Sequence, residues 1–560
     1  MAHDSERPEY RKAGAKRPQV VRHAHQKGTR RYSPRRPEKT HLYAIVKGNL
    51  EEFLRETRES NDNGRGIPRY VEQEFREYLR CGILPHGFLH AKCSNCGRDV
   101  LVSFSCKKRG ACPSCAARCM CNTGAIVTDN MLPEVPVRQW VLSTPFEIRL
   151  LLAANAKAYG ELTRIFSEEV LDQYKYRAED LAIRNCRGGM LCFQHRFGGS
   201  LNLNPHLHAI VVDGVFARDQ DPGSSAPATF YPLPPPEPVQ LKDIAFLVYR
   251  RFTGWLRRQG LLRRSDDDDT CDEGNTDPLT ACLRGSLGLG QLCKLPQTGE
   301  ESAGSVELLH DEQRFAQRTS AHAGDFGGFG VHAVVTVSKH DRESRERLVR
   351  YCARPALSLE RMTMTDDGMI AYRLRHVQKG RATHRMMNPL EFMARLSALI
   401  PPPRHPLLRF YGVFAPHSKW RTLCVPSGTS ELRSCESPDE NPADGDKPRT
   451  TPSKRVTPAA SVATCNAPKG HQEVTAKADV ARSAEVDLKC GSSLGINAWR
   501  IDWATLLKRT YDLDVLACAC GGRLKFVELV TDTYRAREVL VVLGVPYMLP
   551  PLPRARAPNW

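Results

Sequence analysis

The sequence predicts an α+β chain: a small cysteine-rich module, a larger mixed helix–strand region and a small C-terminal module, joined by polar segments. Three observations carry this reading. Eight of the twenty cysteines crowd between Cys81 and Cys121. Stretches such as WVLS and LCFQHRF have strand character, whereas FEIRLLLAANAKAY and DRESRERLVRYC space their apolar residues as helices do. Between 425 and 495 the chain is mostly Ser, Pro, Thr, Asp, Lys and Ala, too poor in large apolar groups to offset the entropy of ordering.

A chain of 560 residues has room for three or four folded units at roughly 150 residues each. With 41% hydrophobic and 26% charged residues, it is not a wholly disordered chain. It has no apolar run of roughly 18 residues, and its first residues are charged rather than signal-like, so no membrane span or export is expected. The 81 basic against 63 acidic residues leave a net charge of +18, which points to a polyanionic partner, nucleic acid before membrane. Clustered cysteines without an export signal read as metal ligands in a reducing, cytoplasmic compartment.

In order, residues 1–66 are expected to be a largely disordered basic arm, with twelve Lys/Arg against four Asp/Glu in the first 40. Residues 67–135 form a metal-binding, DNA-binding domain, opened by a helix with Val71, Phe75 and Leu79 on one face. The mixed core spans 136–421 and contains a solvated acidic loop at 265–277. A disordered linker at 422–495 leads to the C-terminal module at 496–560.

Cys93-Ser-Asn-Cys96 and Cys112-Pro-Ser-Cys115 are two C-x2-C knuckles fifteen residues apart. Each tight turn offers two thiolates, and this separation predicts one closed structural zinc site. Cys106 and Cys119 are substitutes or second-site ligands, and Cys81 is expected to be a buried thiol. Lys107, Lys108 and Arg109 give the module a basic DNA-facing surface. In LNLNPHLHAIVVDGVF, strand alternation puts His206 and His208 on one face, about 7 Å apart by strand rise, where they are either a chance, hydrogen-bonded strand pair or a grip for one divalent cation. Downstream, Asp341 caps a helix that Pro355 helps to end, with Leu348 and Cys352 on its apolar stripe. Tyr351 lies beside that stripe between Arg350 and Arg354, where it is either a core-edge aromatic or a nucleophile toward phosphorus.

The strings CSNCG…FSCKKRGACPSC, RQWVLSTPFEIRLLLA, QHRFGGSLNLNPHLHAIVVDGVF, LVRYCARPALSLERM, PPPRHPLLRFYGVFAPHSKWR and DVLACACGGRL, in this order, resemble the rolling-circle transposases of bacterial insertion sequences. The resemblance covers roughly residues 70–420 and 496–560. It implies a zinc-ribbon-like domain followed by an antiparallel-sheet nuclease core flanked by helices. It also implies a divalent Mg²⁺ or Mn²⁺ ion on His206 and His208, with Tyr351 forming a 5′-phosphotyrosine link to single-stranded element ends and target DNA. Relatives that define the family carry two tyrosines four residues apart, but Arg347 and Pro355 stand at those offsets from Tyr351, so the chain resembles the single-tyrosine branch. Gln194 is the expected third metal ligand, with His332 and Asn204 as competitors, and Arg350 and Arg354 are expected to hold flanking phosphates. Tyr372 and Tyr411 are the alternative nucleophiles. The segment 409–421 is either a base-stacking surface or a core strand, and Cys518 and Cys520 are expected to be free thiols in a tight turn. A nucleoid-associated protein is implied. Two rival readings share many of these features: a plasmid replication initiator or relaxase, and a zinc-dependent DNA-binding protein with a decayed nuclease.

Overall fold

The computed structural model describes residues 35–61, 63–218, 228–261, 277–288, 323–374, 382–425, 503–511 and 514–548. The first 34 residues, nearly all of the acidic stretch at 265–277 and most of the segment 422–495 lie outside the described residues.

Helix α1 (His41–Glu59) starts where Thr40 Oγ1 accepts the Tyr43 amide, and it buries Leu42, Ile45, Val46, Leu50, Phe53 and Leu54. Residues 41–59 were expected in the basic arm. The structure corrects this, because an apolar stripe at helical spacing makes them part of a core. Helix α2 (Arg69–Arg80) buries Val71, Phe75 and Tyr78 against the same core. Strands β1 (Phe88–Cys93) and β2 (Asp99–Ser103) form a hairpin, and helix α3 (Pro113–Asn130) follows it.

The next run contains β3 (Val137–Ser143), α4 (Arg149–Ala154), α5 (Ala156–Asp180), β4 (Cys186–Arg187), β5 (Gly189–Phe197), β6 (Leu203–Val212), β7 (Gly214–Ala217) and β8 (Thr229–Pro232). Then come α6 (Pro238–Arg258), α7 (Pro278–Ser286), β9 (Ala323–Phe326), β10 (Phe329–His332), β11 (Thr336–Val337) and α8 (Arg342–Cys352). The last part of the core holds β12 (Met362–Met364), β13 (Ile370–Arg373), β14 (His384–Met387), α9 (Pro389–Leu399), β15 (Leu408–Gly412) and α10 (Arg421–Cys424).

The central sheet is antiparallel throughout, in the order β15-β5-β6-β3-β10-β9, with β11 also pairing with β3. Both of its faces are covered. Met190, Cys192, Leu207, Ala209 and Val211 pack under α5 and α6, and Leu191, Phe193, Ile210 and Val212 pack toward the end of α3 and one side of α8. Arg138 of β3 donates from Nε and Nη2 to Asp213 at 2.9 and 2.7 Å, which fixes the end of β6 against its neighbour. Phe414 and Trp420 are buried, so the segment 409–421 serves as a core strand and its continuation rather than as an open stacking surface.

The C-terminal segment contains α11 (Trp503–Tyr511), β16 (Leu524–Val530) and α12 (Thr533–Val542). It was expected to be a separate small module. Instead β16 pairs with β1 from Phe88↔Val530 to Cys93↔Leu524, giving a three-stranded sheet β16-β1-β2. The cause is an otherwise open β1 edge, whose unpaired amides and carbonyls take a partner strand. Phe88, Val530, Ala536, Val539 and Leu540 form the small core beneath it. Helix α11 sets Leu506 against Cys121 and Ala125 of α3.

Candidate metal and tyrosine centre

Three imidazoles meet on the α8 side of the central sheet. Alternation along β6 sends His206 and His208 to one face and Leu207 to the other. The β5–β6 register puts His195 opposite His206, and cross-strand partners share a face. The rings converge. The Nε2 atoms of His206 and His208 are 3.2 Å apart, and the His195 ring centroid lies 5.0 Å from that of His206 and 4.6 Å from that of His208. One ligand nitrogen from each of the three lies within 4.8 Å of the other two. The Tyr159 hydroxyl, in α5, reaches the backbone carbonyls of both His195 and His206 at 2.7 and 2.8 Å and so fixes this register from below.

The far side of each ring sets its tautomer. His206 Nδ1–H donates to the Asn204 carbonyl at 2.7 Å, and His195 Nε2–H donates to the Cys352 carbonyl at the end of α8 at 2.5 Å. His208 Nδ1 faces the Gln139 side-chain amide at 2.8 Å; turning that amide lets its oxygen accept Nδ1–H. His195 Nδ1 is buried and has no hydrogen-bond partner among the described residues. Burial, reinforced by the neighbouring rings and Arg354, drives His195 well below its ordinary pKa. Burial likewise lowers His206 to about 4 and His208 to about 2. Three neutral, converging nitrogens, one of them orphaned, are a donor set for a divalent transition ion. Imidazole donors suit Mn²⁺ better than Mg²⁺, which prefers oxygen.

These depressed values give a pH prediction with a definite sign. Below 6.5 the unfolded imidazoles take up protons while His206, for example, stays neutral down to about 4. The stability of the metal-free chain should therefore be complete above pH 6.5 and fall as the pH drops toward 4. Thermal unfolding at neutral and mildly acidic pH measures this, and His208→Asn should flatten the fall; a pH-independent Tm would contradict it.

Gln194 is not the third ligand at this site. It pairs with Leu207 and therefore points to the opposite face, where Nε2 donates to Thr163 Oγ1 at 2.6 Å and to the Tyr159 carbonyl at 3.4 Å. His195, one residue on, occupies the place expected of Gln194. Asn204 contributes only its backbone carbonyl, and His332 is two strands from His208, through Val141. Gln194→Leu should cost about 1–2 kcal/mol of stability through the lost Thr163 bond yet leave metal affinity unchanged. Urea unfolding and metal titration of the variant test both halves.

Tyr351 stands over the cluster at the last turn of α8. Asp341 caps that helix by accepting the Ser344 amide, and Leu348, Val349 and Cys352 bury its inner face. Glu346, 4% exposed, pairs with Arg350 at 3.0 Å and with Arg509 of α11 at 2.6 Å; Arg509 also reaches Asp129 of α3. The Tyr351 ring is 45% exposed and stands edge-on to His208, with centroids 5.6 Å apart and planes at 86°. The Arg354 guanidinium lies 4.2 Å from the Tyr351 ring centroid and donates to the Tyr351 carbonyl at 3.0 Å. Tyr372 is fully buried in another core, and Tyr411 pairs with Met190 and faces α5, so neither alternative nucleophile reaches the imidazoles.

Two of the residues expected to contact DNA make bonds within the protein. Arg350 is paired with Glu346 and lies against Gly124, where an added Cβ would meet its Cγ at 2.6 Å; it holds α3 to α8. Arg109 Nη1 donates to the His405 carbonyl at 3.2 Å. Lys107 is exposed at φ +54 and Lys108 half-exposed beside it.

The two C-x2-C knuckles do not share a site. The β1–β2 hairpin carries Cys93 and Cys96 at its tip, while Cys81 and Cys106 flank its base, roughly 20 Å away for a six-residue strand. At the base, Cys81, Cys106, Cys112 and Cys115 converge, with Sγ–Sγ distances of 3.6 Å (81–115), 3.5 Å (106–115) and 3.6 Å (81–112). These match the roughly 3.8 Å edge of a tetrahedron with Zn–S bonds of about 2.3 Å. Cys112 is the N-cap of α3, whose dipole favours thiolate there. Glu74 of α2 latches the loop by accepting the Gly110 and Ala111 amides. Cys81, expected to be an inert thiol, is thus a member of the set, and Cys119 lies outside it. At the hairpin tip, Cys93 and Cys96 face Cys518 and Cys520, which were expected to be unpartnered.

The fold and its clusters define a metal-binding α+β protein, with a cysteine-clustered ribbon beside an antiparallel sheet that carries a histidine cluster; sequence comparison gives the class. Residues 49–144 match the family described as "Transposase zinc-binding domain" and residues 189–421 the family described as "Putative transposase". The chain thus carries both of these transposase regions, the zinc-binding one of the IS91 type. It is similar to the transposase for insertion sequence element IS801 of Pseudomonas savastanoi pv. phaseolicola, at 29% identity over 138 residues, 24% of this chain. The chain spans about a third of that relative's length, 32%. No solved structure matches the chain. Among the described residues no helix is long and apolar enough to cross a membrane.

Proposed function

We propose that this protein nicks and rejoins single-stranded DNA at the ends of an insertion sequence, with Tyr351 as the sole nucleophile. What supports the reading above all is the exposed Tyr351 ring standing 5.6 Å from His208. The Tyr351 hydroxyl attacks phosphorus, forming an Oη–P bond as its proton passes to solvent. The P–O3′ bond breaks, and the departing oxygen keeps the electron pair and takes a proton to become a 3′-hydroxyl. A divalent ion held by His195, His206 and His208 would supply Lewis-acid polarisation of the phosphate. Arg354, stacked on the ring, restrains the phenol and sets positive charge beside the incoming phosphodiester. In the reverse step a 3′-hydroxyl attacks the phosphotyrosine and Tyr351 leaves, so bond energy is conserved and no nucleoside triphosphate is needed.

The basic surplus and the exposed lysine at 107 would draw in the strand, with affinity falling as salt rises. Incubation of the protein with an end-labelled single-stranded oligonucleotide and Mn²⁺ should yield an SDS-stable protein–DNA band. Nicking by hydrolysis alone, with no such band, would overturn the covalent reading.

A further inference from the structure

We propose that Cys93, Cys96, Cys518 and Cys520 bind a second zinc-class ion, distinct from that of Cys81, Cys106, Cys112 and Cys115, which clasps the C-terminal segment onto the N-terminal ribbon. The four sulfurs form one group, with Cys93–Cys520 at 3.5 Å and Cys96–Cys518 at 3.6 Å. Those separations lie near the roughly 3.8 Å tetrahedral edge of a zinc tetrathiolate and far beyond the ~2.05 Å of a disulfide.

The backbone around the group is built for close approach. The first knuckle turns back through Gly97, whose amide donates to the Cys93 carbonyl at 3.1 Å, and the Asn95 amide points at Cys93 Sγ at 3.4 Å. The second loop reverses at Gly521, φ +83, and the Cys518 amide closes it on the Gly522 carbonyl at 2.8 Å. A Cβ at Gly522 would meet Asn95 Cβ at 2.6 Å and Cys93 Sγ at 2.9 Å, so only glycine admits the second loop beside the first. The Ser94 amide donates to the Arg523 carbonyl at 3.1 Å, joining the two loops directly. Four thiols brought together on two glycine-turned loops, with no carboxylate or imidazole among them, select a soft, tetrahedral ion. The proposal is independent of the nuclease reading.

Differential alkylation of the full chain tests it. Cys520 is exposed and Cys518 half-exposed, so in metal-free protein both should react quickly with iodoacetamide. In zinc-loaded protein both should slow at least tenfold, and in cobalt-loaded protein Cys518→Ser/Cys520→Ser should roughly halve the thiolate-to-cobalt absorption. Labelling that is equally fast with and without zinc, or recovery of a Cys93–Cys520 or Cys96–Cys518 disulfide from freshly reduced and purified protein, would overturn it. The labelling experiment uses the unaltered chain, so it decides the matter even if the double variant does not fold.

Discussion

Tyr351→Phe is expected to remove the covalent protein–DNA band entirely and to lower strand cleavage by at least about 10³-fold, the scale on which loss of a covalent nucleophile acts. The substitution deletes one exposed oxygen and keeps the ring that stacks under Arg354 and stands against His208. Folding and metal binding should be untouched, and oligonucleotide affinity should change little. Tyr372→Phe and Tyr411→Phe serve as controls, because those rings lie in other cores and should leave the band intact. A band that persists in the Tyr351 variant would assign the bond to another residue.

His195→Ala is expected to have the second largest effect. It removes one of three imidazoles and frees the Cys352 carbonyl that ends the tyrosine helix. Affinity for Mn²⁺ should fall by 10- to 100-fold or more, on the scale at which even supporting shells of metal sites act. Nicking should fall with it and recover partly at high Mn²⁺ concentration. Calorimetric titration with Mn²⁺ and the oligonucleotide assay measure the two effects. The neighbouring Gln194→Leu should leave both unchanged, and the contrast between adjacent positions is the sharpest test of which face of β5 carries the ligand. Equal losses at 194 and 195 would mean that the strand had been perturbed rather than the site.

Much of this site is legible in the sequence because it is local. The spacing of His206 and His208 declares a shared face, Asp341 announces the helix that bears Tyr351, and knuckle spacing announces thiolate clusters. What escapes is pairwise and distant. Choosing His195 over Gln194 requires the register between β5 and β6, which is held by cross-strand packing and by Tyr159 from another helix. Arg350 looks like a phosphate ligand beside Tyr351 until α3 approaches so closely at Gly124 that the guanidinium must pair within the protein. The cysteines misled for a related reason. Fifteen residues suit a single zinc site, but the first knuckle is the turn of a β-hairpin, whose returning strand β2 carries the chain back to the base before the second knuckle begins. The surplus of charge in the first 66 residues likewise masked a helix whose apolar stripe is plain at spacings of three and four.

Cys93 and Cys520 are 427 positions apart. During translation the hairpin tip leaves the ribosome with half of its sulfurs and one bare strand edge, and it must wait for almost the entire polypeptide before either is satisfied. Bringing such distant points together costs about 5 kcal/mol of loop-closure entropy in an unstructured chain, and far less once the intervening domain has already folded and drawn them close. Completion of the hairpin tip and of the β1 edge should therefore be among the last events in biogenesis, although the thiols at the hairpin base can assemble early. Prematurely terminated products would carry a sticky, oxidisable edge, prone to aggregate and to be cleared.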